Sequence, residues 1–323
     1  MKILMVSPYP PARDGVANYA AQVAAGLRAQ GHRVAVVSPT PSAAAHHQPL
    51  QTIRGTWRAA RLGRRADKTI VQFQPEAFFS GMRLDLFVRH WIGLMVLFSA
   101  GGNVEVVVHE APYSDGGRAG AVRERMWRRL WQQPAALAVH TEAERDELVA
   151  NLGVKEGNIK LIGHGDHFTR RSTASKADAR EELGIDPEAF VFLSIGFLQP
   201  HKGFDRTARG LARLDGANLR LDIVGEVRVR TPEHDRYIRM LEDLAAADPR
   251  VHLHREYVSD EQFDAWIIAA DALVLPYREI WSSGVVERAA LYDRPVVVTD
   301  VGGLPGQVDG ALVARDAGEL VEA

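Results

Sequence analysis

The chain has 323 residues, a length that predicts two domains of roughly 150 residues each. Its hydrophobic fraction of 46% and charged fraction of 25% are typical of a soluble globular protein, and a net charge of −2 gives no global field that would attract nucleic acid. Cysteine is absent, which excludes disulfides, thiolate catalysis and cysteine-based zinc sites.

The first half of the chain alternates short apolar runs with a helical pattern. Continuous apolar runs bounded by turn residues are typical of strands that helices cover on both faces. A helix is predicted at Asn18–Gln30, with Gly31 ending it, and together with the strands beside it this makes a βαβ unit. The predicted strands are Ile3–Val6, Val34–Val37, Thr69–Gln72, Val104–Val108 and Ala136–Val139.

A second series of the same kind begins after residue 170. Its strands are predicted at Val191–Ile195, Leu219–Val224, Val251–Leu253, Ala272–Leu275 and Pro295–Thr299. Its helices are predicted at Phe204–Leu214, His234–Ala247, Asp260–Ala269 and Ser283–Leu291. The two glycines within Ile162–His167 favour a chain reversal between the series, so we predict one domain at 1–165 and another at 166–323. Two such α/β lobes are expected to bind a ligand in a cleft at the carboxyl ends of their strands.

No segment predicts secretion or membrane insertion. The apolar run Met1–Val6 is shorter than the roughly 7–15 residues of a secretory core. The longest apolar stretch, within Phe87–Ala100, is interrupted by Arg89 and His90 and falls short of the ~20 residues that cross a bilayer. We therefore predict a cytoplasmic protein.

The segment Pro276–Glu287 carries the strongest candidate site. It follows a predicted strand, opens a predicted helix and places Glu279 and Glu287 on either side of a Ser-Ser-Gly turn. Free amides at a helix N-terminus favour an anion such as a diphosphate. From their positions, Glu279 is expected to accept hydrogen bonds from sugar hydroxyls and Glu287 is expected to reach a ribose.

This segment resembles the Glu, seven residues, Glu motif of the retaining glycosyltransferases of family four, and the resemblance continues through the Pro-Val-Val and Thr-Asp-Val-Gly-Gly run to Gly303. The resemblance implies the GT-B fold, an α/β architecture of two Rossmann-like, doubly wound parallel-sheet lobes facing a central cleft. It implies a UDP-, GDP- or ADP-sugar donor, no other cofactor and no metal. By the same resemblance Glu279 holds the donor sugar, the amides of Ser283, Gly284 and Val285 hold the phosphates, and Glu287 holds the ribose.

The loop Gly196–Gly203 resembles a Gly-Arg-Leu…Lys-Gly loop of the same family. The resemblance implies that Lys202 neutralises the leaving diphosphate. Phe197 stands where the family usually has Arg, so one of two diphosphate-binding cations is missing unless Arg278 or His201 replaces it. Phe197 in place of this arginine keeps a catalytically weak homologue among the alternatives.

Other positions match the family more weakly. Gly15 lies in a loop that has one of the family's two usual glycines, and His109 occupies the place of a His near the reacting end of the donor sugar. The nucleotide base is expected near Glu256–Val258, so Tyr257 and Val258 complete the candidate donor-binding residues. Family members continue into a helix that crosses back onto the first lobe, whereas here Asp316–Ala323 starts a helical pattern and the sequence ends. We expect that crossover helix to be missing and the coupling of the lobes to be weaker.

The first hundred residues are basic, with twelve Lys and Arg against four Asp and Glu. The segments Arg54–Lys68 and Arg123–Trp131 combine arginines with tryptophans. Arg54, Arg58, Arg61 and Arg65 recur at the spacing of one helical face. One hypothesis is contact with a lipid-linked acceptor or the inner face of the membrane. The other is a solvated helix face whose tryptophan points into the core.

Three functions remain open on the sequence. The first is a metal-independent retaining glycosyltransferase that moves a hexosyl-type group to the hydroxyl of a carbohydrate or lipid-linked acceptor. The second is a non-catalytic sugar-nucleotide-binding or regulatory homologue, and the third is a nucleotide-sugar epimerase, whose extra acid and base groups are not identifiable. The sequence contains no Asp-x-Asp metal motif and no Walker loop, and neither first strand is followed by a Gly-x-Gly-x-x-Gly fingerprint.

Overall fold

The computed structural model describes residues 1–79, 83–101, 103–110, 118–227, 230–307 and 312–315, apart from the side chains of residues 118 and 119. The predicted helical start at Asp316–Ala323 lies outside the described residues. The chain divides into two compact units, Met1–His167 and Phe168–Ala323.

The first unit is built on a parallel sheet of seven strands in the order β3-β2-β1-β4-β5-β6-β7. The strands are β1 Lys2–Val6, β2 Arg33–Ser38, β3 His46–His47, β4 Lys68–Phe73, β5 Val104–Val108, β6 Ala136–Val139 and β7 Ile159–Leu161. The described helices are α1 Gly15–Ala29, α2 Ile53–Gly63, α3 Pro75–Phe78, α4 Leu84–Phe98, α5 Arg118–Leu130 and α6 Glu142–Leu152. The strand order reverses between β1 and β4, as in a doubly wound fold.

All five predicted strands of this unit are present, and the sequence missed β3 and β7. These two edge strands have only two and three residues and contain His or Lys where a buried strand would be apolar. By contrast, β5 and β6 are apolar nearly throughout and almost fully buried, which is why their bounds were predicted to the residue.

The second unit holds a six-stranded parallel sheet in the order β10-β9-β8-β11-β12-β13. Its strands are β8 Phe190–Ile195, β9 Leu219–Val224, β10 Val251–His254, β11 Ala272–Leu275, β12 Val296–Thr299 and β13 Leu312–Ala314. The helices are α7 Lys176–Leu183, α8 Phe204–Leu211, α9 Pro232–Ala247, α10 Asp260–Ala269 and α11 Gly284–Leu291. Here the order reverses between β8 and β11, so both units have the Rossmann-like arrangement that the sequence predicted.

The core of the second unit forms where the apolar faces of its helices meet the central strands. Leu193, Leu221, Leu273 and Val298, one from each of four neighbouring strands, are fully buried there. Because these strands are rigid and buried, the loops that follow β8, β11 and β12 start from fixed positions. Among the described residues, no helix combines the length and apolar character needed to cross a membrane.

Candidate functional site

The predicted site of the second unit lies at the carboxyl ends of β8 and β11. These strands are neighbours, and their chain connections leave in opposite directions, which opens a crevice at the sheet edge. The loop after β8 contains Lys202, and the loop after β11 runs from Pro276 to Ser283, the residue before α11. The topology therefore brings together two segments that lie about eighty residues apart in the chain.

Lys202 is anchored on an aromatic ring at this edge. Its Nζ lies 3.9 Å from the centroid of the Tyr277 ring, which is fully buried, so the ammonium is held by a cation–π contact. The Tyr277 hydroxyl lies 3.4 Å from Oγ of Ser283, and the Tyr277 carbonyl accepts a 2.6 Å hydrogen bond from Thr299 Oγ1. Tyr277 thus positions the cation of one loop beside the N-terminus of α11.

The N-terminus of α11 is organised by Ser283 and Gln307. Ser283 Oγ accepts from the Val285 amide at 3.4 Å, and the Ser283 amide donates to Gln307 Oε1 at 2.7 Å. Gln307 Nε2 donates to the Ser283 carbonyl at 3.2 Å and to Glu287 Oε1 at 2.9 Å. One glutamine side chain therefore fixes both the helix cap and the carboxylate one turn into the helix, a role that the sequence analysis missed.

The remaining candidate donor-binding residues lie along the same sheet edge. Glu279 is exposed in the loop before α11 and has no hydrogen-bond partner among the described residues. Gly284 and Val285 form the first turn of α11, where amides lack helical partners. Tyr257, 41% exposed, and Val258 follow β10, two strands away from β8.

Neither substitute that the sequence suggested for the missing arginine at Phe197 supplies an available cation. Arg278 donates to Asp205 Oδ2 at 2.8 Å and to the Pro200 carbonyl at 2.7 Å, so its charge is already paired. Burial, together with the nearby Lys202 and His234, lowers the pKa of His201 to about 4, so this ring is neutral at pH 7.

A cation that the sequence analysis missed lies beside the same loop. Arg206, in the first turn of α8, places Nη1 3.4 Å from the carbonyl oxygens of Pro276 and Tyr277. In the part of the chain that the structure describes, it forms no ion pair with a carboxylate. Its position four residues after Lys202 offers a second positive charge at this edge.

Two glycines allow these loops to approach each other. Gly203 has φ of +66°, and an added Cβ would clash with the Pro276 carbonyl oxygen. Gly302 has φ of +56°, and an added Cβ would clash with the Ile280 carbonyl oxygen. Both positions need the left-handed backbone region and space for a neighbouring chain, and glycine alone meets both requirements at little cost.

In the first unit, His109 directly follows β5 and packs among other aromatic rings. Its Nε2 lies 2.7 Å from Gln72 Oε1, and the ring stacks edge-on against Tyr19 with centroids 4.9 Å apart. Burial, with smaller effects from His140 and His164, lowers its pKa well below the usual value. His109 is therefore a neutral imidazole, and its role toward a donor sugar stays a prediction.

Gly15 is the first residue of α1. A Cβ there would meet open space, so neither backbone crowding nor a neighbouring group requires glycine in this structure. Asp14, just before it, caps the helix by accepting from the Val16 amide at 2.7 Å. This carboxylate lies where an anion would otherwise be favoured, which argues against a phosphate at the amides that begin α1.

The two basic–aromatic segments of the first unit differ in where their tryptophans lie. On α2, Trp57 is 47% exposed and stacks under Arg61, whose Cζ lies 5.8 Å from the ring centroid. The hypothesis of a core-facing tryptophan is therefore wrong for α2. Trp127 and Trp131 are 1% and 2% exposed, so in the second segment the aromatic rings belong to the core.

The fold and this edge define a class: two Rossmann-like units, of which the second presents cations and a helix N-terminus suited to a diphosphate. Family models agree with that class. Residues 14–165 match the model of the glycosyl transferase 4-like domain, and residues 189–323 match that of glycosyl transferases group 1. The chain therefore belongs to the glycosyltransferases of group 1, with the GT-B fold, and the predicted family is confirmed.

The curated proteins that this chain resembles are named as glycosyltransferases. A D-inositol 3-phosphate glycosyltransferase of Streptomyces avermitilis is 34% identical over 179 residues, which is 52% of this chain and 38% of the relative. The chain thus aligns with less than half the length of such curated relatives.

Solved structures of low sequence identity share the fold. Sucrose-phosphate synthase of Thermosynechococcus elongatus superposes with a TM-score of 0.73 at 17% identity, covering 100% of this chain and 88% of that one. Anabaena HepE, determined in complex with UDP and glucose, gives a TM-score of 0.73 at 15% identity and the same coverage.

Proposed function

We propose that the protein is a retaining glycosyltransferase that moves a hexosyl-type group from a nucleotide-diphosphate sugar to an acceptor hydroxyl. The observation that carries this proposal is the anchored cation at the carboxyl edge of the second sheet. Lys202 lies on the buried Tyr277 ring, whose hydroxyl borders the Ser283 cap of α11. A fixed cation beside a helix N-terminus suits a diphosphate.

Each residue at this edge has a proposed role. The amides of Ser283, Gly284 and Val285 bind the phosphates once the Ser283 amide is released from Gln307 Oε1 and the Val285 amide from Ser283 Oγ. Glu287 binds the ribose and exposed Glu279 binds hydroxyls of the donor sugar. Tyr257 and Val258 border the base. In the first unit, a contact of His109 or Gly15 with the donor stays a prediction of the resemblance, and the Asp14 carboxylate argues against a phosphate at Gly15.

In the proposed transfer, the acceptor oxygen bonds to the anomeric carbon on the face from which the diphosphate departs. The bond from that carbon to the diphosphate oxygen breaks, and its electron pair stays on the leaving group. The acceptor proton passes to the departing phosphate oxygen. Lys202 and Arg206, with the dipole of α11, stabilise the charge that develops there, so no metal is needed on the diphosphate.

The names of similar proteins narrow the first substrates to try. HepE was determined with UDP and glucose, and the curated relatives act, by name, on inositol 3-phosphate. We therefore propose a uridine-diphosphate sugar as donor and a polyol or carbohydrate hydroxyl as acceptor, ahead of GDP- and ADP-sugars.

Calorimetry of the full chain with UDP, GDP, ADP and their sugar conjugates, in the presence of EDTA, tests the donor site. We expect one nucleotide to bind selectively and Glu287→Ala to weaken that binding at least about tenfold, because a hydrogen bond to a charged group contributes roughly 1.5–3 kcal/mol. Glu188→Ala, at an exposed position of the same unit, is the matched control and should change nothing. Absence of binding by every nucleotide would refute the donor site.

A second candidate function is a non-catalytic sugar-nucleotide-binding homologue. Phe197 in place of the family's arginine favours it, because the paired Arg278 and neutral His201 do not replace that charge. The two candidates differ in turnover: the enzyme hydrolyses the bound donor slowly in the absence of acceptor, whereas the regulatory protein binds it and leaves it intact.

We also propose that the exposed face of α2 contacts an anionic membrane surface or a lipid-linked acceptor. Arg54, Arg58 and Arg61 are exposed there beside Trp57, and among the described residues none of them forms an ion pair with a carboxylate. Binding to anionic vesicles should weaken with added salt and with Trp57→Ala. Equal binding to neutral vesicles would contradict the electrostatic part of the proposal.

A further inference from the structure

Three histidines from distant parts of the sequence meet at one edge of the first sheet. His109 follows β5, His140 follows β6, and His164 lies in the turn after β7. These strands are parallel neighbours, so their carboxyl ends lie side by side. Each ring offers a nitrogen, and the three nitrogens lie within 4.8 Å of one another.

The ring spacing approaches that of a shared metal ion. The ring centroids are 4.3 Å apart for His140 and His164, 5.4 Å for His109 and His140, and 6.5 Å for His109 and His164. Three imidazoles on one Zn²⁺, each with a Zn–N distance of ~2.1 Å, would have centroids about 5 Å apart and nitrogens about 3.4 Å apart. The observed centroid distances bracket that value.

Hydrogen bonds to oxygen acceptors set the tautomers of two rings. His109 Nε2 lies 2.7 Å from Gln72 Oε1, and His140 Nδ1 lies 3.3 Å from the Ile162 carbonyl oxygen. Because these oxygens only accept, each of the two nitrogens carries the proton, and His109 Nδ1 and His140 Nε2 keep their lone pairs. A metal-binding histidine usually donates its other N–H in this way.

The surroundings hold the three rings in place. The Tyr19 ring packs against all of them, at centroid distances of 4.9, 5.4 and 5.0 Å. His140 Nε2 is buried and has no hydrogen-bond partner among the described residues, which is a costly state that a ligated cation would relieve.

We propose that His109, His140 and His164 bind one divalent transition metal ion, Zn²⁺ in the first place, through one imidazole nitrogen each. Imidazole ligands suit Zn²⁺, and three protein ligands leave a fourth position for water or an oxygen of a bound ligand. In the loaded form both nitrogens of His109 are engaged, so a ligand oxygen meets the open position of the metal and not His109 itself.

Cobalt is the probe that tests this site on the full chain, prepared without a histidine tag and freed of metal with a chelator. Co²⁺ should bind at one equivalent with the intense visible bands of tetrahedral coordination, and one equivalent of Zn²⁺ should abolish them. His140→Gln and His164→Gln should each lower the affinity by about 100-fold or more, and Gln72→Leu by about tenfold through loss of the supporting hydrogen bond. His47→Gln, in the same unit and exposed, is the matched control and should leave the affinity unchanged.

The wild-type titration needs no variant, so the proposal stays falsifiable even where a substitution prevents folding. A Co²⁺ spectrum like that of the aqueous ion would overturn it, as would equal affinities of wild type and both cluster variants. Saturating Zn²⁺ should also raise the Tm of wild type and not that of folded His140→Gln. Nucleotide calorimetry in EDTA reports on the donor site alone, so failure of either proposal is distinguishable from failure of the other.

Discussion

The two units share one topology and present opposite chemistry at the carboxyl edges of their sheets. In the first unit the edge holds neutral histidines packed on Tyr19, and Asp14 places a carboxylate at the start of α1. In the second unit the edge holds Lys202 and Arg206 beside a helix that Ser283 caps. Fold alone therefore does not make an anion site; the side chains that follow the strands do.

The same comparison shows why the side chains at the edge of the second sheet are charged and the histidines at the edge of the first sheet are neutral. Lys202 is only half-buried, and a π-face supports its ammonium. His109 and His140 lie among rings and apolar strands, where burial removes the charged form and lowers their pKa values. We therefore expect a diphosphate to depend on the second unit for its cations.

The largest effect is expected from removing those cations. Lys202→Met should lower the donor-cleavage rate roughly 10²–10³-fold, as loss of one preorganised electrostatic group does in other active sites, and Arg206→Gln should lower it less. Single-turnover rates with the donor that calorimetry identifies give the measurement. Arg213→Gln, at an exposed position just after α8, is the control. A Lys202→Met rate equal to that of wild type would remove the basis for assigning the diphosphate to this edge.

A second prediction sharpens the comparison through the backbone of the loops. Gly302→Ala should destabilise the second unit by roughly 3 kcal/mol, because it combines a left-handed conformation with a clash against the Ile280 carbonyl oxygen. Gly184 has a similar φ of +64° but open space around it, so Gly184→Ala should cost only about 1 kcal/mol. Urea denaturation of both variants measures the difference, and equal losses would mean that the close approach of the loops contributes nothing.

How much of this site was predictable depends on whether its residues are close in the sequence. Glu279, Ser283 and Glu287 lie within one segment, so strand, turn and helix patterns placed them correctly at the end of β11 and the start of α11. Gln307 was missed because it reaches Ser283 and Glu287 from the loop after β12, and no local pattern encodes that contact. Their assignment as site residues stays a prediction until binding is measured.

The histidine cluster was also not predictable, because its three residues are distant in the sequence. A missed strand was a further obstacle. Only the order of β5, β6 and β7 brings His109, His140 and His164 together, and the sequence analysis did not include β7. That strand is the three-residue segment Ile159–Leu161, in which Lys160 bonds Glu105 of β5 at 2.7 Å. An ion pair there takes the place of the apolar pattern by which a longer strand is detected.

A smaller effect is expected from removing the contacts that Gln307 makes with Ser283 and Glu287 at the N-terminus of α11. Gln307→Ala removes the acceptor of the Ser283 amide and the donor to Glu287, so we expect a loss of about 1 kcal/mol in stability, similar to loss of a helix cap. If the glutamine also orders Glu287 for the ribose, nucleotide affinity should fall about tenfold, a change of ~1.4 kcal/mol. Thermal unfolding and calorimetry separate the two effects. Unchanged affinity with reduced stability would restrict Gln307 to a structural role.

The smallest expected effect concerns His201, the one neutral imidazole identified at the cationic edge. Its pKa in the folded protein is about 4, below the usual value of 6.5, so the unfolded chain takes up a proton at a higher pH than the folded chain does. The folded state must therefore lose stability as the pH falls from about 6.5 to about 4. The full difference corresponds to roughly 3 kcal/mol, and solvent screening of this half-buried ring reduces our expectation to about 1 kcal/mol.

Urea denaturation of wild type and His201→Gln between pH 7 and pH 4 measures this contribution. The variant lacks the titrating ring, so its stability should fall less steeply over that range. Bound nucleotide diphosphate should reduce the contribution of His201, because a nearby anion favours the protonated ring and raises its pKa. An identical pH dependence of wild type and His201→Gln would show that neither burial nor Lys202 lowers the His201 pKa, and no change with nucleotide would place the diphosphate away from His201.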